Sequence, residues 1–235
     1  MPQTKPPPEN IWLSLGCNVA LPALVLGKGS RWVAGASPAT VLVVALAFPV
    51  IYFAYDFFRR KKANVLSMIG FAGTLLTGGL GLLQMDPFWL AIKEAAVPLL
   101  IGVAVVLAEI CGRSLVRVLL LNDTIFDLEA IDRTVAERGT KSRLEQALRR
   151  ATWLLSGSFV FSSALNFLLA RWIVKTHPAV DATAFNQELG QMTLWSWPVI
   201  VLPMMVIMFY VLFSLLKTLR DCSGLPEEDL LRKKK

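Results

Sequence analysis

Residues 65–110 read VLSMIGFAGTLLTGGLGLLQMDPFWLAIKEAAVPLLIGVAVVLAEI. Two apolar runs, 65–83 and 88–110, flank one short turn, and only Asp86, Lys93, Glu94 and Glu109 carry charge. Neither run alternates apolar with polar residues, and each is longer than an ordinary strand. Roughly 20 apolar residues at 1.5 Å rise are what a helix needs to cross a bilayer. The stretch therefore predicts two membrane helices joined by a tight turn.

Four further runs, 11–26, 39–58, 151–170 and 194–216, read the same way, although the first is short and interrupted by Pro22. The expected fold is all-α, a polytopic membrane helix bundle of about six transmembrane helices. The composition agrees: of 235 residues 55% are apolar and 17% charged, against about 25% charged in a soluble domain. Mean hydropathy is +0.56. A disordered chain, a disulfide scaffold and an ordinary soluble enzyme are excluded by these values.

The charge pattern orients the spans. The net charge is +7, from 24 Lys and Arg against 17 Asp and Glu. With both termini inside, 19 of the basic residues fall in inner segments and four in outer loops. Such asymmetry marks the cytoplasmic side. Tryptophan prefers the interface, and Trp32, Trp89, Trp172, Trp195 and Trp197 fall at predicted outer ends, Trp12 and Trp153 at inner ends. Residues 1–9 read as a disordered tail without the features of a signal peptide. Residues 10–220 form the membrane domain, and 221–235 form a basic cytoplasmic tail suited to anionic headgroups.

Residues 111–150 make the only sizeable loop. Within it, Phe126, Ala130 and Ile131, with Ile125, Leu128 and Val135 nearby, predict a short amphipathic helix between the cap residues Asn122 and Asp123 and the stop at Gly139. It either lies on the inner membrane surface or caps the bundle. Ser142 and Glu145 have the spacing of a capping box for the helix that leads into the fifth span.

Two constellations could carry function. Gly70, Gly73, Thr74, Thr77, Gly78 and Gly81 share one face of the third span, where small residues let helix backbones approach closely. This face suits tight packing within one bundle, a homodimer contact or a sliding surface. In the fourth span Lys93 and Glu94 lie inside the membrane run, where charge is costly. Adjacent helical positions point about 100° apart, so each is expected to seek its own partner, with Asn18, Asn166 and Arg171 as candidates. Lys93 could also snorkel outward past Trp89. The cluster Lys93, Glu94, Asn18 and Asn166 is either a polar lock or the lining of a solute or ion path. The serines of the fifth span fit interhelical hydrogen bonds or a lined cavity.

No phosphate-binding loop, HExxH or GxSxG occurs. No catalytic residue, cofactor or metal site is expected. Cys17, Cys111 and Cys222 form no CxxC pair and read as free thiols, and the single histidine, His177, lies in a loop. Basic residues confined to short loops do not suggest nucleic acid.

The middle of the chain resembles a known family. Leu75-Leu-Thr-Gly-Gly-Leu-Gly-Leu-Leu83, then Asp86-Pro-Phe-Trp89, Ile92-Lys93 and the basic stretch Arg113-Ser-Leu-Val-Arg117 are similar to the core of bacterial intracellular septation protein A and its relatives. Arg149-Arg150, Trp153 and Asn166 resemble a later segment of that family. The resemblance covers roughly residues 40–217; this chain has Lys93-Glu94 where the family has a Lys-Pro pair. It implies a multi-pass protein of the bacterial inner membrane linked to septation and membrane integrity. The expected role is non-enzymatic, through helix contacts with lipid, a second copy or envelope membrane proteins. The alternative is a small-solute or ion transporter or channel.

Overall fold

The computed structural model describes residues 16–32, 35–60, 65–112, 114, 116–117 and 126–226; the side chains of 57, 59, 60, 65–72 and 74 are outside that description. Among the described residues 86% are helical and none forms a strand. The fold is all-α, as the apolar runs predict. A π-helical turn, Gly16–Ala20, leads into α1 (Leu21–Trp32). There follow α2 (Pro38–Arg60), α3 (Val65–Leu82), α4 (Pro87–Ile110), α5 (Leu128–Glu137), α6 (Lys141–Ile173) and α7 (Ala182–Ser196). A second π turn, Trp197–Val201, joins α7 to α8 (Leu202–Ser223).

Local sequence sets the helix starts. Two helices begin with a capping residue followed by proline, whose missing N–H would be unpaired in a first turn anyway. Ser37 precedes Pro38, and its hydroxyl accepts from the Thr40 N–H at 3.2 Å. Asp86 precedes Pro87, and its carboxylate accepts from the Phe88 N–H at 2.7 Å. Asp127 caps α5 through the Ala130 N–H. Asp181 caps α7 through the N–H groups of Thr183 and Ala184. At the far end of α8, Gly224 adopts a left-handed φ of 66°, which glycine reaches without a Cβ clash.

Among the described residues four helical stretches are long and apolar enough to cross a membrane: Pro38–Asp56, Pro87–Ile110, Lys141–Ile173 and the continuous Ala182–Ser223. Between 11% and 33% of the residues in their most apolar windows are buried. Trp32, Trp89, Trp153, Trp172, Trp195 and Trp197 are all exposed. Surface of this kind is compatible with lipid contact. Trp12 and the tails 1–9 and 227–235 lie outside the described residues.

The chain forms two compact units, residues 1–95 with 165–199 and residues 96–164 with 200–235. In the first, α1 packs against α2 and α7, and α2 also packs against α3. Gly190 of α7 meets the backbone of α1: a Cβ built there would stand 2.9 Å from the Ala23 carbonyl oxygen and 3.2 Å from the Gly27 nitrogen. Asn186 of α7 donates to the Pro38 carbonyl at 2.8 Å. In the second unit, Phe126, Ile131 and Val135 join Leu144, Leu148 and Leu155 of α6 and Val211, Leu215 and Leu219 of α8 in one apolar core.

Several sequence-based expectations change. The first apolar run was bounded at residue 26, but α1 continues to Trp32 and takes Lys28 and Arg31 into its last turns. Arg31 there faces the negative end of the helix dipole. The segment expected to be a loop ahead of the last apolar run holds a full helix, α7. The amphipathic segment starts at Leu128, capped by Asp127, whereas Asn122 and Asp123 lie outside the described residues. Its apolar stripe is buried in protein and therefore does not lie on a lipid surface. Ser142 is inside the first turn of α6, because the Leu144 N–H already donates to the Thr140 carbonyl; the Ser142–Glu145 capping box is replaced by a cap at Thr140.

The α1–α7 contact yields a direct expectation. Gly190→Ala pushes a methyl against backbone that cannot swing aside, and should destabilise the protein by about 1–3 kcal/mol. Gly73→Ala, where the added Cβ meets nothing within 4 Å, should be neutral or gain up to about 1 kcal/mol in helix propensity. Unfolding of the purified protein in mixed micelles, followed by circular dichroism, checks both.

Candidate functional site

The turn at Asp86-Pro87 starts α4 at a fixed point, and this places Lys93 less than two turns into the helix. Its ammonium reaches α3, where it donates to Thr77 Oγ1 at 2.6 Å and to the Gly73 carbonyl at 3.4 Å. Its third contact is Glu94 Oε1 at 2.6 Å. The Thr77 hydroxyl donates its own proton to the Gly73 carbonyl at 3.0 Å, which leaves its lone pairs free for Lys93. An ammonium has three N–H donors and no acceptor, so all three are engaged by these contacts. The side chains of Lys93 and Glu94 are 14% and 24% exposed.

The direct Lys93–Glu94 pair corrects the expectation that sequence neighbours on a helix would not meet. Their Cβ atoms do diverge by about 100°. The lysine stem, however, is four methylenes long and can curl across the helix surface to its neighbour. Arg171, an expected partner of the pair, instead places its guanidinium over the Phe88 ring, 5.7 Å from the centroid. Asn18 is exposed and Asn166 half-buried, and each has an interaction of its own; neither takes part in the three contacts of Lys93 given above.

The small-residue face of α3 divides. Gly78 and Gly81 are buried against α2, at Leu46 and Leu42, and Gly81 also faces Phe185 of α7. Thr77 and Gly73 serve Lys93. A Cβ at Gly73 would meet nothing within 4 Å. For Thr74 and Gly70 only the helical backbone is described. The tightest approach of a glycine to a neighbouring backbone among the described residues is at Gly190, which no sequence pattern singled out. Its signals were the small pair Ala23 and Gly27 at i, i+4 and the Phe185, Leu189, Met192 spacing after Asp181.

Polar groups in the second unit also find partners between helices. Thr152 Oγ1 donates to Glu109 Oε2 at 3.1 Å, and Ser156 Oγ donates to the Gly102 carbonyl at 3.1 Å. These contacts realise the interhelical hydrogen bonds expected of the serine-rich fifth span. Among the described residues no buried side-chain nitrogen or oxygen lacks a partner, and no three His, Cys, Asp or Glu side chains gather as a metal site. His177 Nδ1 accepts from the Ala179 N–H in its own turn at 3.2 Å. The three cysteines are free, with Cys111 exposed and Cys222 buried.

This is a helical fold whose long apolar stretches are suited to a membrane by length and composition, with short polar bridges between helices inside each unit. No family model, curated protein or solved structure matches the chain. The septation-protein resemblance stands on the quoted residues alone.

The closed Lys93 network makes a prediction about charge removal. Lys93→Met leaves Glu94 half-buried without its cation and should cost about 1–3 kcal/mol, less than a fully buried pair because both groups keep some solvent. The double change Lys93→Met with Glu94→Gln should cost less than the single one. A double-mutant cycle on unfolding in micelles measures the difference.

Proposed function

We propose that this chain is a polytopic integral membrane protein with a non-enzymatic role, exercised through contacts of its helices with lipid and with other membrane proteins. The observation that carries the reading is the pairing of outward apolar surface with inward polar closure. At most 33% of the residues in the apolar windows of the four long helices are buried, and large apolar side chains such as Ile51, Leu100 and Val206 stand exposed, while Lys93 spends all its donors on Thr77, Gly73 and Glu94. A site poised for chemistry or passage would keep a polar group available.

In this reading six helical segments traverse the bilayer, with α1 and α3 joining the four longest stretches, and both termini lie in the cytoplasm. The basic segments 59–62, 111–150 and 217–235 support that orientation. Partner helices, including a second copy, would approach at the open side of α3 near Gly73 and Gly79, where an added Cβ meets nothing within 4 Å. A bacterial inner-membrane setting linked to septation and membrane integrity is the part that rests on the sequence resemblance.

A second reading, transport of an ion or small solute, is favoured by the π turn at Trp197–Val201, which contains Pro198. Irregular turns of this kind are frequent at functional positions in helices. The Lys93→Met, Glu94→Gln double variant separates the two. Contact function survives it if the protein folds, whereas a path lined by the pair loses flux.

The topology is tested with a membrane-impermeant thiol reagent. A variant retaining only Cys111, which is exposed, should label from the cytoplasmic side alone. A cysteine-free background carrying Val180→Cys, at a position 84% exposed, should label from the opposite side alone. Labelling of both positions from one side would overturn the six-span arrangement.

A further inference from the structure

In the second unit, α6 and α8 run antiparallel. Thr140, just ahead of α6, donates to the Cys222 carbonyl near the end of α8, while Leu154 and Tyr210 line one groove further along. That groove has a volume of about 430 Å³. Arg143, Gln146 and Arg150 enter it from one face of α6, and Tyr210 and Ser214 from α8. Among the described residues no acidic side chain lines it.

The two arginines are about 10 Å apart along the helix axis, two turns on one face. Both are exposed, and among the described residues neither guanidinium has a hydrogen-bond or ionic partner. The neighbouring groove shows the contrast. There Arg117 Nη2 donates to both carboxylate oxygens of Asp132 at 2.9 Å, and Lys141 and Glu145 of α6 both line the groove. Its charges are balanced, whereas those of the α6–α8 groove are not. Arg143 also stands in the first turn of α6, which holds no acidic residue. A cation there opposes the positive end of the helix dipole, and an anion would relieve it.

The groove is graded along its length. Its Arg143 end is cationic, and its other end is apolar and aromatic, formed by Leu154 and Tyr210. Trp153, exposed on α6 beside Leu154, is the residue type that seats at the membrane interface. A phosphate diester is an acceptor-only anion that guanidinium forks recognise, and the Ser214, Tyr210 and Gln146 groups add neutral donors. Only a ligand with an anionic head and an apolar tail satisfies both ends.

We propose that the groove between α6 and α8 binds the phosphate headgroup of an anionic glycerophospholipid, held by Arg143 and Arg150, with its acyl chain leaving past Leu154 and Tyr210. The inference rests on the membrane placement proposed above. Zwitterionic lipids carry the same phosphate beside a cation that two arginines repel, so the site selects for net negative charge. Basic pockets between membrane helices at the cytoplasmic face are the expected location for such a headgroup.

Native mass spectrometry of the full chain in detergent, titrated with phosphatidylglycerol and with phosphatidylcholine, tests this. Wild type should prefer phosphatidylglycerol by about tenfold, equivalent to about 1.4 kcal/mol. The Arg143→Gln, Arg150→Gln variant should reduce the preference to less than about twofold. The charge-matched Arg133→Gln, Arg149→Gln variant, whose residues do not line the groove, should keep it. Equal loss in both variants would overturn the site in favour of diffuse surface charge. Absence of any preference in wild type would overturn it outright. Displacement of the lipid by millimolar inorganic phosphate would assign the groove to a soluble anion and overturn the lipid as its ligand. Circular dichroism confirms that each variant is folded. Flotation of the wild-type protein with lipid vesicles reports separately on the membrane placement, so failure of that reading is distinguishable from failure of the headgroup site.

Discussion

Apolar side chains that a soluble protein would fold inward stand on the outside of this one. Val44, Ile51, Leu100, Leu107, Val206 and Phe213 are all exposed along the long helices, together with every described tryptophan. Water would oppose that surface by about 25 cal/mol for each Å². A hydrocarbon solvent does not, but it imposes its own condition, since it offers no hydrogen bond to any polar group. The rest of the structure follows from that condition. Among the described residues backbone groups are satisfied within helices, and polar side chains are satisfied by carbonyls of their own helix, as at Ser223, or across helices.

The cross-helix bridges show how few groups are needed. Lys93 ties α4 to α3, Thr152 and Ser156 tie α6 to α4, and Asn186 ties α7 to α2. Three of the four use or include a backbone carbonyl as acceptor, a partner that is present on any helix. Hydrogen bonds of this sort contribute about 0.6 kcal/mol each on average in membrane helices, so their larger role is in choosing register. Close approach does the remainder, at Gly190 against α1 and at Gly102, where a Cβ would lie 3.0 Å from the Phe159 Cβ. The α6–α8 groove departs from this closure, because its arginines remain unpartnered within the described chain.

The long apolar helices were legible from the sequence because length and apolar continuity alone define them; α2, α3 and α4 begin and end within two residues of the predicted runs. Helix α7 was not, because Asn186, Gln187, Glu188 and Gln191 interrupt its apolar pattern and hide a face that is buried. The proximity of Lys93 to the α3 glycine face was not evident either. Sequence spacing placed both, but only the fold shows that Gly73 and Thr77 are the acceptors. The Lys93–Glu94 pair was missed for a different reason. Helical-wheel reasoning follows Cβ directions, and a lysine stem is long enough to override them. Glycine spacing in α3 pointed to a packing face without revealing that side-chain tips, at Leu42 and Leu46, are what fill it.

Contact of the outward apolar faces with lipid is the central claim. Nitroxide spin labels at Val44, Leu100 and Val206, each exposed on a different helix, read that directly in protein reconstituted into vesicles. Oxygen partitions into hydrocarbon and a charged-ligand nickel chelate stays in water. The account predicts that oxygen relaxes all three labels and the nickel chelate relaxes none. Relaxation of these labels by nickel, with little effect of oxygen, would place the helices in water and contradict it.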